Sequence, residues 1–288
     1  MKFETILRLA FDEASRIFDV LPREAGKAIA TAGESFGSLS NDTEILADKV
    51  IGAGLQKFLL ELDVVPNWLS RLTVEGYGDI SVSETGRFWV TIDPLDGSLN
   101  YVTGDEFCSF PVTCVITILD DNGESTTFGD IVAAGILNFI SGNRAIAVRG
   151  GLKFLNKEGR EFSRRVIDPR ANLDITQQIV ICEGYYPETR QLIQQIFNGQ
   201  KGWLRNPGSA AYEMFAVAYG IAVAYICDQQ KQHELGAGYL FMKACGGVAL
   251  DFEGNDLESH LYKFNAQTAC ILAITSEIGD ELLRRIQG

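Results

Sequence analysis

With 288 residues, 46% of them hydrophobic, the chain can bury a sizeable core as one large domain or two closely packed halves. Its net charge of −13 argues against nucleic acid as a partner, because phosphate backbones need Lys and Arg, and against an anionic membrane surface. A small phosphate ester stays compatible with that charge, since a bound cation reverses the local field.

In chain order, apolar residues at helical spacing (Ile6, Leu7, Ala10, Phe11, Ala14, Ile17) predict a helix from Phe3 to about Ala30. The N-terminus carries no secretory h-region and no apolar run is long enough to span a bilayer, so a reducing, cytoplasmic setting is expected. A second helix is expected from near Thr43 to Leu62, with Asp42 as N-cap. Strands are expected at Arg87–Ile92, Phe110–Leu119, Gly129–Leu137 and Arg144–Val148, with Asp121-Asn122-Gly123 as a turn and a hairpin around Gly150-Gly151. Beyond Gln177 the pattern alternates. Strands at Gln178–Cys182, Ile221–Ile226, Val248–Asp251 and Thr268–Thr275 interleave with helices at Pro187–Phe197, Ser209–Tyr219, Gly236–Cys245 and Ser276–Ile286. This predicts an α+β N-terminal half, residues 1–175, and an α/β C-terminal half, residues 176–288, forming one compact unit.

The six cysteines form no C-x-x-C pair and sit mostly in apolar runs, which predicts reduced core thiols. Two histidines, His233 and His260, are too few for a His-rich zinc site.

The segment with the most chemistry in it is Val90-Thr91-Ile92-Asp93-Pro94-Leu95-Asp96-Gly97-Ser98-Leu99-Asn100. A strand is expected to end at Asp93, with Pro94 stopping the ladder, Gly97 turning the backbone and Ser98 capping a following helix. Two aspartates across so short a turn can face one point. They repel there unless a cation lies between them, and hard oxygen donors suit Mg²⁺. The bland alternative is a surface turn, because Asp, Pro and Gly are all turn residues.

Asp93-Pro94-Leu95-Asp96-Gly97-Ser98 resembles the signature of the inositol monophosphatase family, related to the fructose-1,6-bisphosphatases; the family usually has Thr at Ser98. Four other segments resemble family motifs in the same order. They are Asp42 to Asp48, Val74-Glu75-Gly76, Gly208-Ser209-Ala210-Ala211, and His233-Glu234 followed by Gly246-Gly247. His233-Glu234 stands where the family has Trp-Asp.

The resemblance implies a layered αβαβα sandwich and Mg²⁺-dependent hydrolysis of a phosphomonoester. Inositol monophosphate is the first substrate expected, with fructose 1,6-bisphosphate or another sugar or nucleotide phosphate as the alternative. It implies that Glu75, Asp93 and the Leu95 carbonyl hold one metal, and that Asp93, Asp96 and Glu234 hold a second. Asp48 and Ser98, with Glu75, would be the catalytic groups acting on the attacking water. The Gly97 and Ser98 N–H groups would bind phosphate, and Gly208, Ser209, Ala210, Cys227 and Asp228 would belong with them to the substrate-binding set. It also implies a homodimer. Glu234 reads alternatively as a solvated acid at a helix start, Glu75 as an ordinary loop acid with Asp79 and Glu84 as rivals, and His233 as an exposed or packing residue rather than a ligand. A reading from another class is a catalytically weak paralogue that binds a metal or metabolite.

Overall fold

Helix α1 (Phe3–Val20) stops well short of Ala30. Leu21 is extended, with φ −67° and ψ 121°, as a residue preceding proline is driven to be. The computed structural model describes residues 2–21, 46–62, 68–104, 110–164, 175–182, 187–198 and 200–288. The expected N-cap Asp42, with Thr43 and Glu44, lies outside them, and helix α2 is described over Leu46–Glu61.

Thirteen strands form two sheets among the described residues. The first comprises β1 (Leu69–Val74), β2 (Gly78–Ser81), β3 (Phe88–Asp96), β4 (Thr113–Asp120), β5 (Ile131–Asn138), β6 (Arg144–Val148), β7 (Gly151–Leu155) and β8 (Glu161–Phe162), in the order 2-1-3-4-5-6-7-8. Only the β1–β3 pairing is parallel. The second comprises β9 (Ile179–Cys182), β10 (Trp203–Arg205), β11 (Ala224–Lys231), β12 (Val248–Leu250) and β13 (Gln267–Ala273), in the order 10-9-11-13-12.

Helices separate and flank these sheets. α1 and α2 pack on each other and on one face of the first sheet. The short α3 (Ser98–Thr103) follows β3. α5 (Ala210–Tyr219) and α6 (Gln232–Cys245) lie between the sheets, and α6 touches β3 to β7 on one side and β11 to β13 on the other. α4 (Pro187–Phe197) and α7 (Ser276–Gln287) cover the far face of the second sheet. The result is the αβαβα layering. Because helices cover both faces of the first sheet, β4 and β5 are buried almost end to end and read as continuous apolar runs rather than as alternating strands.

Two departures from the sequence reading shape the site. β3 does not end at Asp93 but continues to Asp96. Its register against β4 steps from Asp93↔Val115 to Asp96↔Thr113, so one extra residue is bulged out, and Pro94 sits where no ladder N–H is required. α6 begins at Gln232 rather than Gly236, because every residue from Gln232 to Met242 is buried between the two sheets, the polar first turn included. Cys114, Cys182, Cys227, Cys245 and Cys270 are free thiols, all but Cys245 buried; Cys108 lies outside the described residues.

Candidate metal centre

Three elements bring the acidic side chains together. Glu75 follows β1, and its N–H donates to Ile92 O at 2.9 Å, which ties the turn to β3. Asp93 and Asp96 lie on either side of the β3 bulge, where Asp93 Oδ1 accepts from Leu95 N at 3.0 Å and bends the chain back. His233 and Glu234 come from the first turn of α6. Glu75, Asp93 and His233 form one group whose ligand atoms lie within 4.8 Å of one another, and Asp93, Asp96 and Glu234 form a second. Asp93 belongs to both.

Gly97 makes the bulge-to-helix transition possible. Its φ is +88°, and a Cβ there would lie 3.0 Å from Pro111 O and 3.1 Å from Ser209 Cβ. Gly97, not Ser98, is the N-cap of α3. Ser98 Oγ instead donates to Leu95 O at 3.0 Å and lies 3.3 Å from Asp48 Oδ2. Asp48 on α2 thus faces the Ser98 hydroxyl.

Asp96 is held by three donors on one oxygen. Oδ2 accepts from Ser209 Oγ at 2.6 Å, Ala211 N at 2.9 Å and Thr113 Oγ1 at 3.0 Å. Ser209 and Ala210 are buried, so the Gly208–Ala211 segment reaches the site chiefly by fixing Asp96. Glu234 is also buried, not a solvated acid; its Oε2 accepts from Gln230 Nε2, and Gln230 Oε1 accepts from the Tyr225 hydroxyl. Cys227 is buried on β11, and Asp228 accepts from Thr189 Oγ1 at 2.8 Å. The rivals of Glu75 point elsewhere: Asp79 accepts from Thr73 Oγ1 at 2.6 Å, and Glu84 is exposed.

Burial pushes the Asp93 carboxyl well above its ordinary range, and the charges of Glu75, Glu234, Asp96 and Asp48 push it further. Asp96 is also raised by burial, with the bonds from Ser209, Ala211 and Thr113 working against the shift. Glu75 goes the other way. Burial alone would raise it, but His233 and Lys231 together outweigh that effect and hold it well below the usual carboxylate range. Burial tends to strip the proton from Lys231, yet Glu75, Glu234 and Asp93 keep it firmly an ammonium. Converging carboxylates that raise one another's proton affinity form a donor set suited to a divalent cation.

Three contributors, Lys231, Gln230 and Thr113, had no local signature in the sequence. Lys231 Nζ sits 2.8 Å from Glu75 Oε1 across 156 residues of chain. Gln230 and Thr113 orient Glu234 and Asp96. Asn100 Nδ2 donates to the carbonyls of Pro111, Pro207 and Gly208, at 2.9, 2.9 and 3.0 Å, and so joins the two halves beside the site. His233 differs from an exposed residue: it is 1% exposed, and its Nε2 turns toward Glu75.

The inositol monophosphatase family model matches residues 4–286. The chain belongs to the inositol monophosphatase family. Members of this family are metal-dependent phosphatases. The Nus factor SuhB of Xylella fastidiosa is 33% identical over 174 residues, 58% of this chain and 56% of that protein. The chloroplastic phosphatase IMPL1 of Arabidopsis thaliana is matched over 52% of its length, so the chain spans only about half of these two relatives. A fructose-1,6-bisphosphatase/inositol-1-monophosphatase of Methanothermobacter thermautotrophicus is 22% identical over 284 residues, 95% of each chain. In fold, the Thermotoga maritima IMPase superposes with a TM-score of 0.73 at 17% identity, covering 98% of this chain and 97% of that one.

Proposed function

We propose that this chain is a Mg²⁺-dependent phosphomonoester hydrolase acting on a small polyol or sugar phosphate, with inositol monophosphate the first candidate. The observation behind this reading is that Asp93 is common to two donor groups, each able to hold a cation. Glu75, Asp93 and the Leu95 carbonyl would hold one metal, and Asp93, Asp96 and Glu234 the other. When bound, such a pair supplies charge neutralisation at the attacking and leaving oxygens of an in-line displacement. The remaining work belongs to the chain. Ser98 Oγ, between Leu95 O and Asp48, is placed to orient a water and pass its proton toward Asp48. The N–H groups of Gly97 and Ser98 offer donors to phosphate oxygens. Cys227 and Asp228 are assigned to the substrate side, and Gly208, Ser209 and Ala210 to the wall that fixes Asp96. The halves 1–175 and 176–288 would act as one unit, since Asp96 of the first is held by Ser209 and Ala211 of the second.

The test is phosphate release from a panel of inositol, sugar and nucleotide phosphates with and without Mg²⁺. Turnover of inositol monophosphate above the rest is expected. Preference for fructose 1,6-bisphosphate would favour the runner-up substrate, and release unaffected by metal would sink the reading. One observation favours a second, non-catalytic reading, a module that only binds a metal or metabolite: the Lys231 ammonium already occupies Glu75 Oε1. Metal binding without phosphate release from any ester would decide for that module.

Among the described residues no helix is long and apolar enough to cross a membrane. A cytoplasmic location and a homodimer complete the proposal. Light scattering at micromolar concentration is expected to return twice the 31.6 kDa chain mass.

Glu234 replaces the family's Asp and carries one more methylene. Its carboxylate is fitted to that length by Gln230 and Tyr225. Glu234→Asp is therefore expected to pull the carboxylate away from Asp93 and Asp96 and raise the Mg²⁺ concentration for half-activity by about tenfold. Glu234→Ala should raise it further. Superimposable Mg²⁺ titrations for wild type and both variants would remove Glu234 from the site.

A further inference from the structure

Among the described residues, the groups around Glu75 and Asp93 that could ligate a metal include an imidazole. The His233 side chain is fully buried; Nδ1 has no hydrogen-bond partner, and Nε2 has none closer than the Glu75 carboxylate 3.5 Å away. A buried polar atom left unsatisfied is costly, so such an atom in a functional cluster calls for a ligand. The ring is not loosely placed: it stacks on Phe264 with centroids 4.5 Å apart and planes 22° from parallel. That stacking fixes its plane where a second hydrogen bond to Nδ1 would otherwise do so. Nε2 then points at the carboxylates, 3.5 Å from Glu75 Oε2 and 3.7 Å from Glu234 Oε1.

These distances suit shared coordination. Two donors each about 2.1 Å from one ion stand at most about 4.2 Å apart, and adjacent octahedral positions are about 3 Å apart. The 3.5 Å between Nε2 and Glu75 Oε2 falls inside that window. Lys231 engages the other oxygen of Glu75, Oε1, and so leaves the Oε2 side turned to His233.

We propose that the cation held between Glu75 and Asp93 takes His233 Nε2 as a further protein ligand, beside the Leu95 carbonyl, making this half of the site a mixed nitrogen–oxygen centre that favours Mn²⁺ or a later transition metal over Mg²⁺. The proposal rests on the metal-dependent reading of the site. Imidazole suits transition metals, whereas Mg²⁺ selects oxygen. The Asp93, Asp96 and Glu234 group is all oxygen and remains suited to Mg²⁺. The two groups thus differ in the metal they prefer, and the difference comes from the residue that stands where the family has Trp.

Chelator-stripped protein loaded with one equivalent of Mn²⁺ tests this by pulsed EPR, which detects a directly bound ¹⁴N nucleus. The chain has only two histidines, and the other, His260, lies 3.1 Å from Asp251. Wild type and His260→Asn are expected to show ¹⁴N modulation that shifts on labelling with [¹⁵N]histidine. His233→Phe, which keeps the stack on Phe264, should lose the modulation and bind Mn²⁺ about tenfold more weakly by calorimetry, with Mg²⁺ affinity changed no more than about twofold. Mn²⁺ bound to wild type without ¹⁴N modulation overturns the nitrogen ligand and leaves the phosphatase reading intact. Failure to bind either Mn²⁺ or Mg²⁺ overturns both. Should His233→Phe not fold, wild type and His260→Asn, labelled and unlabelled, decide the question by themselves.

Discussion

Asp93→Asn is expected to lower phosphate release on the order of a thousandfold at saturating Mg²⁺ while the protein stays folded. Asp93 is the one carboxylate common to both donor groups, so its charge serves each cation at once. Several kcal/mol of charge stabilisation is what a metal contributes to such a displacement, and each 1.4 kcal/mol is tenfold in rate. The amide keeps the shape, and its Oδ1 can still accept from Leu95 N, so the bulge should survive. Without metal the variant should melt at a higher temperature than wild type near pH 7.5. Burial and the surrounding carboxylates raise the Asp93 pKa, which means that its ionised form is destabilising there, and the amide removes that charge. Wild-type turnover in Asp93→Asn would show that the turn is only a turn.

The expectation that Asp93 and Asp96 converge came from a short contiguous motif, and local geometry carries most of it: an Asx bend at Asp93 and a glycine at φ +88°. The strand runs past Asp93, where the sequence points to its end because proline usually stops a ladder; here a bulge absorbs it. β1 and β2 have no clear signature in the sequence. They are short, and β2 is mostly exposed at a sheet edge, so neither presents a long periodic signal. The start of α6 is hidden in the sequence for a different reason. Gln232, His233 and Glu234 look like loop residues by polarity, and only the central position of the helix between two sheets explains their burial.

Long-range pairings were out of reach of any motif. Lys231 meets Glu75, and Asn100 meets the carbonyl of Gly208, because two sheets are stacked with α5 and α6 between them. The substitution of His for Trp was visible in the sequence. Its meaning was not, since a histidine in isolation gives no sign of whether it faces solvent, an aromatic ring or a carboxylate. In the fold it faces the last two together.

Removing the metal is expected to abolish activity and to reverse the dependence of stability on pH. In metal-free protein, Asp93 and Asp96 have folded pKa values above the ordinary 3.8. Groups raised in this way contribute stability that is full below the unfolded pKa and is lost as pH rises through the folded one. Glu75 has the opposite sign: lowered from 4.5, it contributes stability present above that value and lost as pH falls through its folded pKa. By about pH 5.5, a unit above the unfolded value, Glu75 has nothing left to add. Above that, of these three carboxylates only the raised aspartates still oppose folding, so the melting temperature of EDTA-treated protein should fall as pH rises above about 5.5 through the folded pKa of Asp93. A bound divalent ion competes with those protons, and its affinity grows with pH. At about a hundred times its Kd the ion adds about 2.7 kcal/mol, which for a chain of this size is roughly 5–10 °C in melting temperature. The gap between metal-loaded and EDTA-treated melting curves should therefore widen with pH. Parallel curves across that range, or full activity in excess EDTA, would mean that the carboxylates of β3 and α6 do not share a cation.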